Sequence, residues 1–270
     1  MLNVSLVIYK HQPDKVLPLL KELARSVFVN NICIVDNSPA PNPEFKGDKI
    51  TYFFTGKNSG YGAGHNIAIR KSIKQEVPYH LVINPDIEID GEVPEKLIQF
   101  AEKNPEIGHI MPRVVYPDGK IQYLCKLLPT PADLIFRRFL PASWVQKRIS
   151  RFELRHSGYD KPMEVPYLSG CFMFFNTDAL IKAGMFDERF FMYPEDIDLT
   201  RRIRKYYKTI FYPDVTVIHH HEQSSYKSLR MLLIHMINMS KYFNKWGWFI
   251  DRERSDTNRE ILKKIEEITR

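Results

Sequence analysis

Cysteine is scarce in this sequence: Cys33, Cys125 and Cys171 are the only three among 270 residues, and none shares a CxxC spacing. That excludes a disulfide scaffold and a cysteine-caged zinc module. Cys33 and Cys171, set in apolar runs, read as reduced core residues of a cytosolic protein. Long apolar stretches are missing as well. None reaches the roughly 18 residues needed to cross a bilayer, and Met1 leads directly into a strand-like run without a basic-then-apolar leader. The expectation is a soluble chain, cytoplasmic or peripheral on the inner face of the plasma membrane. There are no internal repeats and no low-complexity tracts. The net charge of +7 calls for an anionic partner, such as a phosphorylated substrate or an anionic lipid surface. Nucleic acid is not expected, because no recognised binding motif accompanies the charge.

What is present is an ordinary globular composition, 44% hydrophobic and 26% charged, in a chain long enough for one large domain or two small ones. Short β-branched runs at Val4–Tyr9, Ile32–Val35, Ile50–Phe54 and Tyr79–Ile83 predict strands, and helical spacing covers Pro13–Val27 and Ile67–Ile73. This order predicts an α/β domain with a mostly parallel sheet. A helix over Val93–Lys103 and a strand over Ile107–Tyr116 continue it. From Ile121 to Val165 the pattern breaks, with no clear strand. The Tyr167–Phe175 run restores the sheet, followed by a helix at Thr177–Ala183 and short strands at Thr209–Tyr212 and Val215–His219. Two helices, Tyr226–Trp246 and Asp256–Thr269, form the tail.

In open α/β sheets ligands bind beyond the carboxyl ends of the strands. Asp36, Asn58 and Asp86 each follow a strand's end, so all three can face one crevice. The loop from Gly60 to Gly64 (GYGAG) lacks the endings of a Walker loop and the spacing of a dinucleotide fingerprint. Its glycines still allow backbone to approach a ligand, and a helix N-terminus beyond it favours an anion. Residues two apart share a strand face, so in Ile218–Glu222 (IHHHE) His219 and His221 point together and His220 away. The stretch Gly184–Arg204 (GMFDERFFMYPEDIDLTRRIR) runs from an aromatic turn into an acidic first helical turn, with Pro194 suited to the first helical position. Acids there complement the helix dipole. Beside Phe186, Phe190, Phe191 and Tyr193 they also suit a half-apolar pocket that holds one carboxylate as a base. Glu195, Asp196 and Asp198 are all available for that role, and about 100° of rotation per residue prevents all three from facing one crevice.

The same stretch, with its GxFDExFFxYxEDxDLxxR wording, resembles the inverting glycosyltransferases of family 2, especially their bacterial rhamnosyltransferase-like branch. Asp36, the Asn58-x-Gly60-Tyr61-Gly62-x-Gly64-x-Asn66 loop, Asn84-Pro85-Asp86 and the histidine run fit that family in the same order, over roughly Val4 to Ser225. The resemblance implies a fold of the GT-A type, with a mostly parallel central sheet flanked by helices and a helical C-terminal tail. It implies a domain over 1–225, with a nucleotide-binding half at 1–116 and an acceptor-binding half at 117–225, and a helical extension at 226–270. It implies sugar transfer, with rhamnose suggested, from a nucleotide-diphospho-sugar to a hydroxyl of a glycan or a polyprenyl-diphosphate-linked saccharide in cell-surface polysaccharide biosynthesis.

Residue by residue, the resemblance makes Asp196 the catalytic base and Asp36, Asn58, Gly60, Asn66, Asn84 and Asp86 the nucleotide-sugar contacts. Asp86 and His219 become ligands of Mg²⁺ or Mn²⁺, with His221 the alternative to His219 and Glu88 a possible companion on the same face. Glu195, Tyr193 and Gly170 fall on the acceptor side. Asn84 stands where relatives of this architecture carry the first aspartate of an Asp-x-Asp, which leaves Asp86 the single strong acidic ligand.

Two basic-aromatic stretches, Phe136–Arg155 and Tyr226–Trp248, read either as amphipathic helices on the core or as a surface for anionic lipid. A nucleotidyltransferase or a non-catalytic sugar-binding protein on a similar fold is the competing reading. The former expects a glycine-rich loop after the first strand, where this chain has Tyr9-Lys10-His11-Gln12.

Overall fold

A computed structural model describes residues 1–134, 142–220 and 229–269, without the side chains of 142–145 and 229–230. The first half alternates strand and helix: β1 (Leu2–Ile8), α1 (Pro13–Arg25), β2 (Val29–Asp36), β3 (Ile50–Phe54), α2 (Tyr61–Lys74), β4 (Tyr79–Ile83), β5 (Ile87–Glu88), α3 (Val93–Lys103) and β6 (Ile107–Val115). The second half is more broken: β7 (Cys125–Lys126), α4 (Pro131–Leu134), α5 (Ala142–Phe152), β8 (Met163–Glu164), β9 (Tyr167–Leu168), β10 (Phe172–Asn176), α6 (Thr177–Ala183), α7 (Glu195–Ile203) and β11 (Lys208–His219). Two long helices, α8 (Leu229–Trp246) and α9 (Arg252–Thr269), close the chain.

The main sheet runs in the order β3-β2-β1-β4-β10-β6-β11-β5, with β8 pairing β11 off this path. β3, β2, β1 and β4 are parallel neighbours, as are β6 and β11, while β10 lies antiparallel between β4 and β6. The sheet is thus mostly parallel and flanked by helices, as the strand–helix alternation predicts. β1 is buried at six of seven positions because helices cover both faces of such a sheet. α1 faces it with Val16, Leu19, Leu20 and Leu23.

Several boundaries differ from expectation. α1 stops at Arg25, where the Ser26 N–H closes onto the Leu23 carbonyl, and Val27 is left exposed. α2 begins at Tyr61, so Gly62 and Gly64 belong to the helix. Close packing of this first turn needs both glycines: a Cβ on Gly62 would come within 2.8 Å of Phe186 in the loop before α7, and one on Gly64 within 2.7 Å of Val7 on β1. The Tyr167–Phe175 run splits at Ser169–Gly170 into β9, paired with β7 in a separate small sheet, and β10. The segment with no clear strand holds two two-residue strands, β7 and β8. The two expected strands near 209–219 form one, β11, with its register shifted between Tyr212 and Thr216. Pro194 caps α7 instead of opening it.

The C-terminal helices fold back on α7. Arg201, 2% exposed, makes a bidentate pair with Asp251 at 2.7 and 2.8 Å and lies 4.0 Å from the Trp246 ring centroid. Asp198, fully buried, accepts from Trp246 Nε1 and Arg202 Nε at 2.8 Å and pairs with Lys245 at 2.6 Å. Asn258 exchanges two hydrogen bonds with the Leu128 backbone. Among the described residues no helix is long and apolar enough to cross a membrane.

Candidate active site

The carboxyl ends of β4 and β11 bring Asp86 and His219 together. Asp86 Oδ2 lies 3.3 Å from His219 Nε2. Gln122 fixes the imidazole: its Oε1 is 2.9 Å from His219 Nδ1, and its Nε2 donates to the His219 carbonyl. Nδ1–H therefore donates to Gln122 and Nε2 faces the carboxylate. Burial opposes charge on this ring, but the Asp86 carboxylate and the Cys171 thiol beside it push its pKa up to about 10. In this state it is an imidazolium held against a carboxylate.

A carboxylate oxygen and an imidazole nitrogen this close, with the second imidazole nitrogen anchored by an amide, fit a divalent cation that takes its other ligands from phosphate or water. The cation would displace the imidazolium proton. Among the described residues no three His, Cys, Asp or Glu converge on a complete cage. His220 turns away, 2.9 Å from Glu88, so Glu88 stands with His220 and not beside Asp86. His221 lies outside the described residues.

Asp196 occupies the start of α7. Its Oδ2 accepts from the Gly170 N–H at 2.8 Å and its Oδ1 from the Ile197 N–H at 2.7 Å. A Cβ on Gly170 would stand 3.3 Å from that of Asp196, so glycine lets the β9–β10 turn meet the carboxylate edge-on. Burial raises the Asp196 pKa above the ordinary carboxylate range, opposed by those two N–H groups and by Lys126 of β7. Glu195 is 4% exposed and raised further, by burial and then by the charge of Asp196, and its Oε2 has no hydrogen-bond partner among the described residues. Tyr193, just ahead, holds φ +95, a conformation uncommon for a side chain of its size and a frequent mark of functional turns. Its ring meets His235 of α8 edge-on at 4.9 Å. Asp198 is not in this site; Arg202, Lys245 and Trp246 take it up.

The expected aromatic pocket has a different composition. Phe186 packs on Gly62 and near His65, and Phe190 enters the main core. Tyr61 and Tyr167 are the rings that feel the charges of Glu195 and Asp196. The aromatics before α7 face inward because Asn66 pulls their loop onto α2. The Asn66 amide donates to the Phe186 carbonyl and Glu188 Oε1, and its oxygen accepts from the Phe186 N–H. Asn66 is 1% exposed, and its side chain is turned to this loop.

At the carboxyl end of β2, Asp36 is buried, with Oδ1 on the Ser38 N–H and Oδ2 accepting from Tyr52 Oη at 2.5 Å. Asn58 is exposed and accepts from the Gly60 N–H. Gly60 has φ +97, and a Cβ there would meet the Phe191 carbonyl at 2.4 Å, so only glycine lets this loop touch the segment leading into α7. Asn84 sits half-buried with its N–H on the Cys171 carbonyl. A groove of about 500 Å³ between α5 and α9, lined by Leu128, Arg151, Phe152 and Leu262 among others, shares none of these residues.

Gln122, Lys126, Tyr61 and Tyr167 have no role in the sequence reading. Tyr61 lies inside the quoted glycine loop, whereas Gln122 and Lys126 fall where the strand pattern breaks. Cys171, read as core, is buried but also touches His219.

The family profile of glycosyl transferase family 2 matches residues 9–184, more than half of the chain, and the chain belongs to that family. It is 26% identical over 180 residues to an N-acetylglucosaminyl-diphospho-decaprenol L-rhamnosyltransferase of Mycobacterium tuberculosis, covering 63% of this chain and 59% of that protein. It is 28% identical over 211 residues to the low-salt glycan biosynthesis hexosyltransferase Agl10 of Haloferax volcanii, covering 76% of this chain and 62% of that one. The chain thus spans about six-tenths of the length of these relatives. In fold it matches the mannosyltransferase PcManGT from Pyrobaculum calidifontis, solved with GDP-Man and Mn²⁺, with a TM-score of 0.55 at 15% identity over 89% of this chain and 64% of that one. The fold is of the GT-A type.

Proposed function

We propose that this chain transfers a sugar from a nucleotide-diphospho-sugar to a hydroxyl of a glycan or lipid-linked saccharide, with inversion at the anomeric carbon, in cell-surface polysaccharide biosynthesis. The observation that carries this reading is the turn at Gly170–Cys171. Its two neighbouring residues hold Asp196 through the Gly170 N–H and touch His219, the partner of Asp86. A general-base candidate and a phosphate-side pair thus meet at one turn, although 110 residues separate Asp86 from Asp196.

In the proposed reaction the acceptor oxygen forms its bond to the anomeric carbon as the bond from that carbon to the diphosphate oxygen breaks. Asp196 takes the hydroxyl proton. Its raised pKa suits a base, since burial strengthens its hold on that proton. Asp86 and His219 would hold Mg²⁺ or Mn²⁺, which neutralises charge on the departing diphosphate when bound. Asp36, Asn58, Gly60 and Asn84 line the donor side, and Asn66 serves it by holding the loop that Gly60 touches. Glu195, Tyr193 and Gly170 border the acceptor. The name of the mycobacterial relative favours a rhamnosyl donor and a polyprenyl-diphosphate-linked acceptor.

A membrane-surface placement accompanies this proposal. On α8, Leu233 and Ile237 are 63% and 55% exposed, one turn apart, and Phe249 and Ile250 beyond it are 81% and 86% exposed. Arg137, Arg138 and Lys227 of the basic stretches lie outside the described residues. Arg148 and Arg155 are paired with Asp133 and Glu153, while Lys147 and Arg151 of α5 are exposed, and the apolar part of the lipid reading rests on α8 and its C-terminal turn.

The test is a thermal-shift panel of UDP-, GDP- and dTDP-sugars with and without Mn²⁺. A specific donor stabilises the fold by about 2.7 kcal/mol at a hundredfold excess over Kd. A panel in which no nucleotide sugar shifts the transition contradicts the proposal.

A further inference from the structure

Tyr61, the first residue of α2, is tied at three points. Its N–H donates to the Phe191 carbonyl at 3.0 Å, its ring meets His65 edge-on at 4.3 Å, and its hydroxyl donates to the Gly170 carbonyl at 2.6 Å. The hydroxyl's direction is fixed, because a carbonyl oxygen can only accept. Burial pushes the phenol well above its ordinary range, so it stays a donor at any working pH. Gly170 is therefore gripped on both flanking peptides: Tyr61 holds its carbonyl, and Asp196 takes its N–H. Glycine has no Cβ to resist rotation about these peptides, so the grip itself must set where the N–H points.

We propose that Tyr61 is a positioning residue for Asp196, acting through Gly170 and coupling the donor-side glycine loop to the base. The proposal rests on the reading of Asp196 as that base. The loop of Asn58 and Gly60 leads directly into Tyr61, so a donor that orders this loop also orders the turn that aims the carboxylate. Tyr61 itself touches no reacting atom.

Tyr61→Phe keeps the ring and deletes the hydroxyl. The expected result is a fall of about tenfold in kcat, within the range that small misplacements produce, with donor KM within about twofold. Losing a firmly held N–H donor raises the carboxylate pKa, so the acid limb of the kcat–pH profile moves to higher pH. The groups facing Asp196 are Glu195 beside it, Lys126 of β7, Tyr167 of β9 and Tyr61 itself, and only the last changes. Gly170→Ala, which brings a Cβ to 3.3 Å from Asp196, gives the same kcat-selective loss. Combined with Tyr61→Phe it gives less than the product of the two losses, since residues in one chain of contacts are not additive.

Parent kcat and parent pH profile in Tyr61→Phe overturn the proposal. So does a fall in kcat with an unmoved acid limb and a lowered melting temperature, which marks Tyr61 as packing alone. Independent, multiplying losses in the double variant also overturn it. Asp196→Asn is measured alongside: if it retains turnover, the base reading fails and this proposal falls with it. If Asp196→Asn is inactive while Tyr61→Phe behaves as the parent, only the positioning role is lost.

Discussion

Asp251→Ala should strand the Arg201 guanidinium inside the protein. The pair is nearly closed to solvent, with side chains 2% and 3% exposed, and both guanidinium nitrogens reach the carboxylate at 2.7 and 2.8 Å. Removing one partner of a buried pair typically costs about 3–5 kcal/mol, because the remaining charge is left desolvated without compensation. Unfolding entropies near 2.1 cal/mol/K per residue give roughly 0.57 kcal/mol/K for a chain of this size, so the transition should fall by about 5–9 °C. Glu253, 3.2 Å from Arg201 and 40% exposed, sets the lower end by supplying a weaker substitute. Burial alone would raise the Asp251 pKa, yet hydrogen bonds from Arg201 and the Arg254 N–H hold it below the ordinary range. Its contribution is therefore present above that range and lost as pH falls through the depressed value, so the gap between variant and parent should narrow in acid. Differential scanning calorimetry at pH 7 and pH 3 measures both. A transition within about 1 °C of the parent at pH 7 would refute the argument that this pair pins α8 and α9 to the helix carrying Asp196.

Three further outcomes follow from the same geometry. Asp86→Ala should remove the Mn²⁺ dependence of nucleotide-sugar binding; titration calorimetry with and without Mn²⁺ decides, and equal metal dependence contradicts the Asp86–His219 assignment. Glu195→Gln should stabilise the protein by about 1–3 kcal/mol at pH 8, since each tenfold rise in proton affinity corresponds to about 1.4 kcal/mol lost on ionisation. The folded state favours the protonated acid, so this gain should vanish near pH 4; a gain that is unchanged at pH 4 contradicts the raised pKa. Leu233→Glu with Ile237→Glu should abolish flotation with anionic vesicles at low salt, and no flotation of the parent under those conditions removes the membrane-surface placement.

Much of the fold was legible because its strands are buried parallel runs bounded by breakers. β3, β4, α3 and α6 lie where periodicity, Pro and Gly put them. The glycine loop was legible as chemistry but not as structure: Gly62 and Gly64 look like loop residues, yet they lie in the first turn of α2, where their missing Cβ lets the helix pack on Phe186 and Val7. The apolar run at 167–175 looks like one strand, and it breaks at Gly170 for a tertiary reason, the close approach of Asp196. Strand-end logic expects Asp36, Asn58 and Asp86 to face one crevice, and the fold sets Asp36 at the end of β2 and Asp86 beyond β4, two strands that flank β1 in the sheet. The roles given to Asp196 and His219 came from the family resemblance, and their meeting at Gly170–Cys171 required the coordinates. Gln122 and Lys126 sit in a segment without periodicity, so nothing local marked them.

Asp196→Asn is the most direct measurement of the proposed transfer. The amide keeps the size of the side chain and an acceptor for the Gly170 N–H, but it cannot take a proton from an acceptor hydroxyl. General-base catalysis contributes about 10²–10⁴-fold, so turnover should fall by that factor. Donor affinity should stay near the parent's, because the donor contacts are assigned to Asp36, Asn58 and Asp86. Parent-level turnover in Asp196→Asn, with activity lost instead in Glu195→Gln or Asp198→Asn, would contradict the assignment of the base; parent-level turnover in all three would leave the start of α7 as a capped helix without a catalytic role.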